Sequence, residues 1–266
     1  MLTPVSVLLW IMMFLTAVVF SMLGQGGGAV YTPLQIIFGI EFHIAATTSL
    51  FLIMAGAIAA LSVYHRAGLI DWPLALTLEA AAMSGGFAGG LISERFPQTL
   101  LTVWFAVLMG LVAGLMIANF RLEGCARLPT IARLCWQRHH GTHSYKVNLL
   151  IGLPVAGLAG FVSGLLGIGG GMFLVPLMVL MLGVPIEIAI GSSSLMVGLT
   201  AAAGFSGHLI AGHWDWRTSL FLAVVVFLGA RLGAHLSIHI DKQRIQGIFG
   251  GMLLALAGLM LIRVWS

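Results

Sequence analysis

The chain has 266 residues, of which 60% are hydrophobic and only 8% charged, and its mean hydropathy is +1.08. Soluble domains carry about 25% charged residues, so this sequence cannot clothe a water-facing surface; its 35 glycines follow no triplet period, which excludes collagen, and two cysteines are too few for a disulfide-stapled fold. The net charge of +4 is no sign of nucleic acid, because the basic residues gather in one segment where they act as membrane topology determinants.

In chain order, the first apolar run covers 3–23; it holds no Lys or Arg and is too long for a secretory signal, so it reads as a retained membrane helix. Further runs able to cross about 30 Å of hydrocarbon fall at 45–63, 74–92, 98–118, 148–166, 188–207, 218–238 and 244–264. Two shorter apolar pieces, 29–40 and 172–183, are half-crossings at about 1.5 Å per residue. Each follows a glycine cluster, which predicts re-entrant or broken helices. The expected fold is an all-α membrane protein, a polytopic helical bundle of eight full spans plus these two short helices. The one long polar stretch, 119–147, carries Arg121, Arg127, Arg133, Arg138 and Lys146 against the single acid Glu123. The positive-inside rule places it in the cytoplasm, where Cys125 and Cys135 are expected as reduced thiols.

The polar loop separates two copies of one sequence. Gly24–Leu34 (GQGGGAVYTPL) lies over Gly167–Leu177 (GIGGGMFLVPL) at a shift of 143, and Gly68, Asp71 and Trp72 lie over Gly212, Asp215 and Trp216 at a shift of 144. The same shift brings Gly85 and Gly89 onto Gly229 and Gly233. The organisation is therefore a first transmembrane repeat at 1–118, a cytoplasmic basic linker at 119–147 and a second repeat at 148–266, pseudo-symmetric halves of the kind that build a site near the midplane. If the short pieces merely dip into the bilayer, each half has four crossings and the repeats are parallel; if they cross, each has five and the repeats are inverted. The sequence leaves this open.

The duplicated glycines are the strongest chemical signal. Gly26, Gly27 and Gly28, and Gly169, Gly170 and Gly171, let the backbone turn sharply at the start of a short helix, where free N–H groups and the positive end of the dipole suit an anion. Tight helix packing by small residues is the competing reading. Gln25 stands inside the first cluster. Two hydroxyl triplets, Thr47, Thr48 and Ser49 and then Ser192, Ser193 and Ser194, add neutral donors or caps. Arg231, deep in its span and matched by Phe87 in the other repeat, is a candidate counter-charge for an anion, against the plainer reading of a buried ion pair. Glu79, Glu187 and His43 are candidate proton relays, against ordinary interfacial roles. Trp72 and Trp216 read as interface anchors. The Gly204–Gly207 string (GFSG) with His235 offers a serine-hydrolase alternative, which the glycine-rich background weakens. Cys125, Cys135, His139, His140 and His143 fit no zinc spacing, so no metal and no cofactor is expected.

Two copies of G-x-G-G-G with a following Pro33 or Pro176, a hydroxyl triplet, and G-x-x-D-W resemble the TauE/SafE family of sulfite exporters, over nearly the whole chain. That resemblance implies a multi-pass carrier of the bacterial inner membrane that moves sulfite or a small organosulfonate such as sulfoacetate outward. Carried over by position, the family motif falls on Gly26, Gly27, Gly28 and Pro33 and on Gly169, Gly170, Gly171 and Pro176. The expected partners are that sulfur anion and the lipid bilayer, with a homodimer allowed and nucleic acid excluded. An anion channel is the alternative to a carrier.

Overall fold

A computed structural model describes residues 4–38, 40, 42–92, 135–141, 143–166, 171–210 and 214–241, with isolated positions between 107 and 118 and between 244 and 258. The helices are α1 (Pro4–Met22), α2 (Gly28–Ile37), α3 (Phe42–Arg66), α4 (Trp72–Ile92), α5 (Leu149–Leu166), α6 (Gly171–Pro176), α7 (Ile186–Ile210) and α8 (Trp216–His239). Among the described residues, the segments Thr47–Arg66, Ile186–Ala203 and Ser219–His239 are long and apolar enough to cross a bilayer. The runs expected at 98–118 and 244–264 lie mostly outside the described residues.

The element boundaries repeat as the sequence does. Helices α3 and α7 begin and end 144 residues apart, α4 and α8 begin at that shift, and α2 and α6 begin at a shift of 143. The duplicates are not identical. Helix α2 runs for ten residues, whereas α6 stops after six at Pro176 and continues as a π-helical turn, Leu177–Met181. Both copies carry a proline at the sixth position, Pro33 and Pro176, which lacks the N–H that would continue the i to i−4 ladder, so the proline alone does not account for the difference.

The chain divides into two compact units, Met1–Ile70 with Ile190–His239, and Asp71–Ala189 with Ile240–Ser266. In the first, α8 packs alongside α1 and α3. Gly229 lies against the Phe14 carbonyl, Gly233 against that of Val18, and Ser237 Oγ donates to Met22 O at 2.9 Å. Residue numbers on both helices rise together, so α1 and α8 are parallel. Between α3 and α7 they run oppositely: Phe51 meets Phe205 with ring centroids 5.5 Å apart, Ala57 meets Gly198, and Leu69 meets Gly191. Since α3 and α7 are copies of one sequence, their antiparallel packing is the arrangement that inverted repeats produce. Met13, Ala17, Tyr31, Leu52, Val197 and Val226 form the core of this unit.

In the second unit α4 lies on α5, with Gly85 against the Gly157 carbonyl and Gly160 against that of Ala82. Gly85 and Gly229 are repeat mates. At this position each repeat's fourth helix dispenses with a side chain to lie close on the first helix of the other repeat, the small-residue packing expected where lipid supplies no hydrophobic drive between helices.

Two expectations are corrected here. The fold is mostly helical rather than all-α, because the basic linker ends in a hairpin, β1 (Cys135–His140) and β2 (His143–Asn148), paired antiparallel from Cys135↔Asn148 to His140↔His143 and turned at Gly141 with φ +56°. Hydrophobic periodicity missed it because polar strands on a linker carry no apolar alternation. Cys135, expected as a reduced thiol, is disulfide-bonded; a default drawn from the cell compartment does not see what the fold brings near the first residue of a strand.

The repeated Asp-Trp turn has a structural role in this copy. Asp71 precedes α4 and accepts from the Leu74 amide at 3.2 Å, an N-cap. The same carboxylate, fully buried, takes both arms of the Arg138 guanidinium, with Nε at 2.9 Å, and the Tyr145 hydroxyl. Burial alone would raise the Asp71 carboxyl, but the hydrogen bonds from Arg138, Tyr145 and Leu74 and the Arg138 charge outweigh it and hold it below the ordinary carboxylate range. Burial and the neighbouring Asp71 carboxylate push the Tyr145 phenol up, so it stays a donor. The hairpin is thereby tied to the start of α4.

Candidate functional site

The first glycine cluster forms a sharp bend between α1 and α2. The end of α1 closes with Leu23 N–H and Gln25 N–H donating to Phe20 O at 3.1 and 2.9 Å, and Gly24, Gly26 and Gly27 take φ of +69°, +68° and +79°. Three left-handed residues in four positions require glycine on backbone grounds alone. Tyr31 N–H and Val30 N–H then donate to Gly27 O and start α2.

The bend is pressed against α7 at the serine triplet. Ser193 Oγ donates to Gly24 O at 2.8 Å, with Ile190 O at 3.0 Å, and Ser194 Oγ donates to Gly191 O at 2.7 Å. The structure thus brings Gly24 of the first glycine cluster against Ser193 of the second hydroxyl triplet. A hydroxyl has one proton, so those of Ser193 and Ser194 are committed to carbonyls in this conformation. A crevice lined by Ser21, Gly24, Gly26, Gly56, Ala57 and Ser194 runs beside the bend and has no room for a water molecule.

Gln25 is different. Its side chain is buried, 5% exposed, and among the described residues neither Nε2 nor Oε1 has a hydrogen-bond partner. A buried amide left unmatched costs about 1–3 kcal/mol, so it calls for a partner such as a water, an ion or a ligand. The nearby Gln35, which the sequence reading passed over, is also fully buried; its Nε2 donates to Tyr31 O at 3.2 Å and Ser49 Oγ at 2.9 Å, while Oε1 has no partner among the described residues. A lone glutamine in the ten-residue apolar α2 was the available signal. Ser49 also accepts from Thr32 Oγ1 at 2.9 Å, and Thr48 shares a hydrogen bond of 2.9 Å with Ser219, which accepts from Trp214 Nε1. The first hydroxyl triplet therefore knits α2, α3 and α8 together, and Thr47 and Ser192 are buried beside their neighbours in it and in the second triplet.

The other candidates fall elsewhere. Gly169 and Gly170 lie outside the described residues, and Gly171 opens α6. Gly28 opens α2, and the side chain of His43, in the first turn of α3, is outside the described set. Glu79 is buried in α4 and Glu187 is half-buried in the first turn of α7. Arg231 is exposed on α8 and lines a separate cavity with Arg66 and His235, away from the residues that line the glycine crevice. Among the described residues no group of three His, Cys, Asp or Glu side chains is placed to hold a metal ion.

Duplicated, inverted helices with broken short segments and buried polar groups beside them define a multi-pass membrane transporter. The sequence matches the family described as Sulfite exporter TauE/SafE over residues 9–260, and the chain belongs to that family. It is 27% identical to the Probable membrane transporter protein YunE of Bacillus subtilis (strain 168), over 96% of this chain and 97% of that one. It is 39% identical over 117 residues to a Probable membrane transporter protein of Xylella fastidiosa (strain Temecula1 / ATCC 700964), covering 44% of each chain. To the Sulfite exporter TauE/SafE family protein 6 of Arabidopsis thaliana it is 22% identical, over 87% of this chain and 74% of that one. No solved structure matches significantly. The chain is a transporter and not an enzyme, which removes the hydrolase reading of Ser206 and His235.

Proposed function

We propose that the chain is a carrier of the bacterial inner membrane that exports sulfite or a small organosulfonate by alternating access. The observation that carries this is the unmatched, buried Gln25 amide inside a triple-glycine bend held against a serine-rich helix. Such a place offers neutral N–H donors to a small oxyanion without a fixed negative charge, and binds it weakly enough to release it. We assign the substrate site to Gln25, Gly26, Gly27, Gly28, Ser193 and Ser194. The hydroxyls of Thr47, Thr48, Ser49 and Ser192 position these elements. Outward movement of an anion is helped by a negative-inside potential, about 2.3 kcal/mol per charge per 100 mV, so coupling to protons through Glu79, Glu187 or His43 is not required.

Purified protein reconstituted in liposomes should show saturable, counter-flow-stimulated uptake of sulfite or a small sulfonate in preference to sulfate and thiosulfate. Linear, unsaturable flux would instead mark a channel. Gln25→Leu is expected to leave thermal stability unchanged or to raise it by about 1 kcal/mol, because it removes an unmatched polar group without changing much volume. The same substitution should lower transport at least tenfold. A stable Gln25→Leu protein with normal transport would remove the bend from the substrate path.

A further inference from the structure

The second cavity, at the ends of α3 and α8 within the first unit, has a different chemistry from the bend. It encloses about 200 Å³ and is lined by Arg66, Arg231 and His235, with Val63 and Ile238 as apolar wall. The remaining polar neighbour, Ser62, spends its proton on Ala59 O at 2.7 Å, so the donors facing the space are the two guanidinium groups and the imidazole. None of its described lining residues is acidic. Two permanent cations that share one cavity repel each other, and an anion between them turns that repulsion into attraction; arginine forks match phosphate oxygens two at a time.

Size and setting narrow the ligand. The space, about 200 Å³ and open at the surface, has ample room for one tetrahedral oxyanion. Around it α8 exposes Leu228, Leu232 and Leu236, an apolar surface that suits acyl chains. Arg66 is the last residue of α3, and Arg231 lies eight residues before the end of α8, about 12 Å along the axis. We propose that this cavity is a second anion site, which binds a phosphate-type oxyanion between Arg66 and Arg231. Two sources share that chemistry, an anionic lipid headgroup and a free inorganic anion. The site is independent of the bend and stands if the substrate assignment fails.

The test uses the full chain, purified in detergent and stripped of lipid. Phosphatidylglycerol retention is followed by native mass spectrometry, with phosphatidylcholine as the neutral control, and inorganic phosphate binding by titration calorimetry. Wild-type protein should bind at least one of the two anionic probes saturably. The double variant Arg66→Gln/Arg231→Gln should lose that binding at least tenfold, and Gln25→Leu should keep it. Because the double variant also removes two charges from the fold, a second variant that keeps both arginines is used: Ile238→Trp, which fills the cavity, should give the same loss. Binding of phosphatidylglycerol alone identifies a headgroup site, and binding of phosphate identifies a free-anion site. Failure of the wild type to bind either probe, or undiminished binding by both the double variant and Ile238→Trp, overturns the proposal.

Discussion

Asp71→Asn should lower the thermal stability of the purified protein by about 2–3 kcal/mol, read as a fall in melting temperature in detergent. Removing one member of a buried ion pair typically costs about 3–5 kcal/mol, because the remaining charge is left without compensation. The lower figure applies because Arg138 is 19% exposed and can turn partly toward water. Asparagine is as good an N-cap as aspartate, so this substitution isolates the ion pair; Asp71→Ala should cost about 1 kcal/mol more by also uncapping α4. The pH dependence follows from the direction of the shift. The Asp71 carboxyl is held lower in the folded protein than in the unfolded chain, where it titrates near the ordinary aspartate value of about 3.9. Its contribution is therefore complete above that value and is lost as pH falls through the lower folded value. Wild type and Asp71→Asn should differ fully at neutral pH and converge in strong acid; a constant difference from pH 7 downward would mean that the carboxylate does not carry the effect.

The parts of this fold that were legible in the sequence are those encoded by local pattern. The apolar runs placed α3, α4, α7 and α8 to within a few residues, and the duplication at a shift of 144 reappears as matched helix boundaries. The bend at Gly24–Gly27 was legible because its backbone conformation admits little else. Direction was not: hydropathy is blind to which way a helix points, so parallel and inverted repeats look alike until Phe51 is seen against Phe205 and Ala57 against Gly198. Partnership was equally hidden. Nothing in the sequence couples Asp71 to Arg138, 67 residues away, or Arg231 to Arg66, and the sequence placed Arg231 with the glycines when α8 carries it to another cavity. The hydroxyl triplets were found as a feature, but only the contacts distinguish Ser193, which holds the bend through Gly24 O, from Ser49, which holds Gln35.

Gly24→Ala should be the most damaging single change in the bend, and it separates the two roles that glycine plays there. Its φ of +69° is a conformation that costs an L-residue about 1–2 kcal/mol. A Cβ at that position would also collide with Ile190 O and Ser193 Oγ. The serine could rotate aside, but the Ile190 carbonyl belongs to the backbone of α7 and cannot move without shifting the helix. The combined cost should exceed about 4 kcal/mol, enough to prevent recovery of monodisperse protein by size-exclusion chromatography. Gly68→Ala is the matched control, since its φ is +65° with nothing within 4 Å of an added Cβ, and it should lose only the conformational part. Gly24→Ala/Ser193→Ala should fail to recover the protein, because the carbonyl remains. If Gly24→Ala were instead to purify with the melting temperature of the wild type and lose transport alone, the glycine would be serving close approach of a ligand to the backbone rather than the seating of the bend on α7. The expected outcome assigns Gly24 to packing and leaves the task of meeting an anion to Gln25, the neighbour whose amide the packing leaves unmatched.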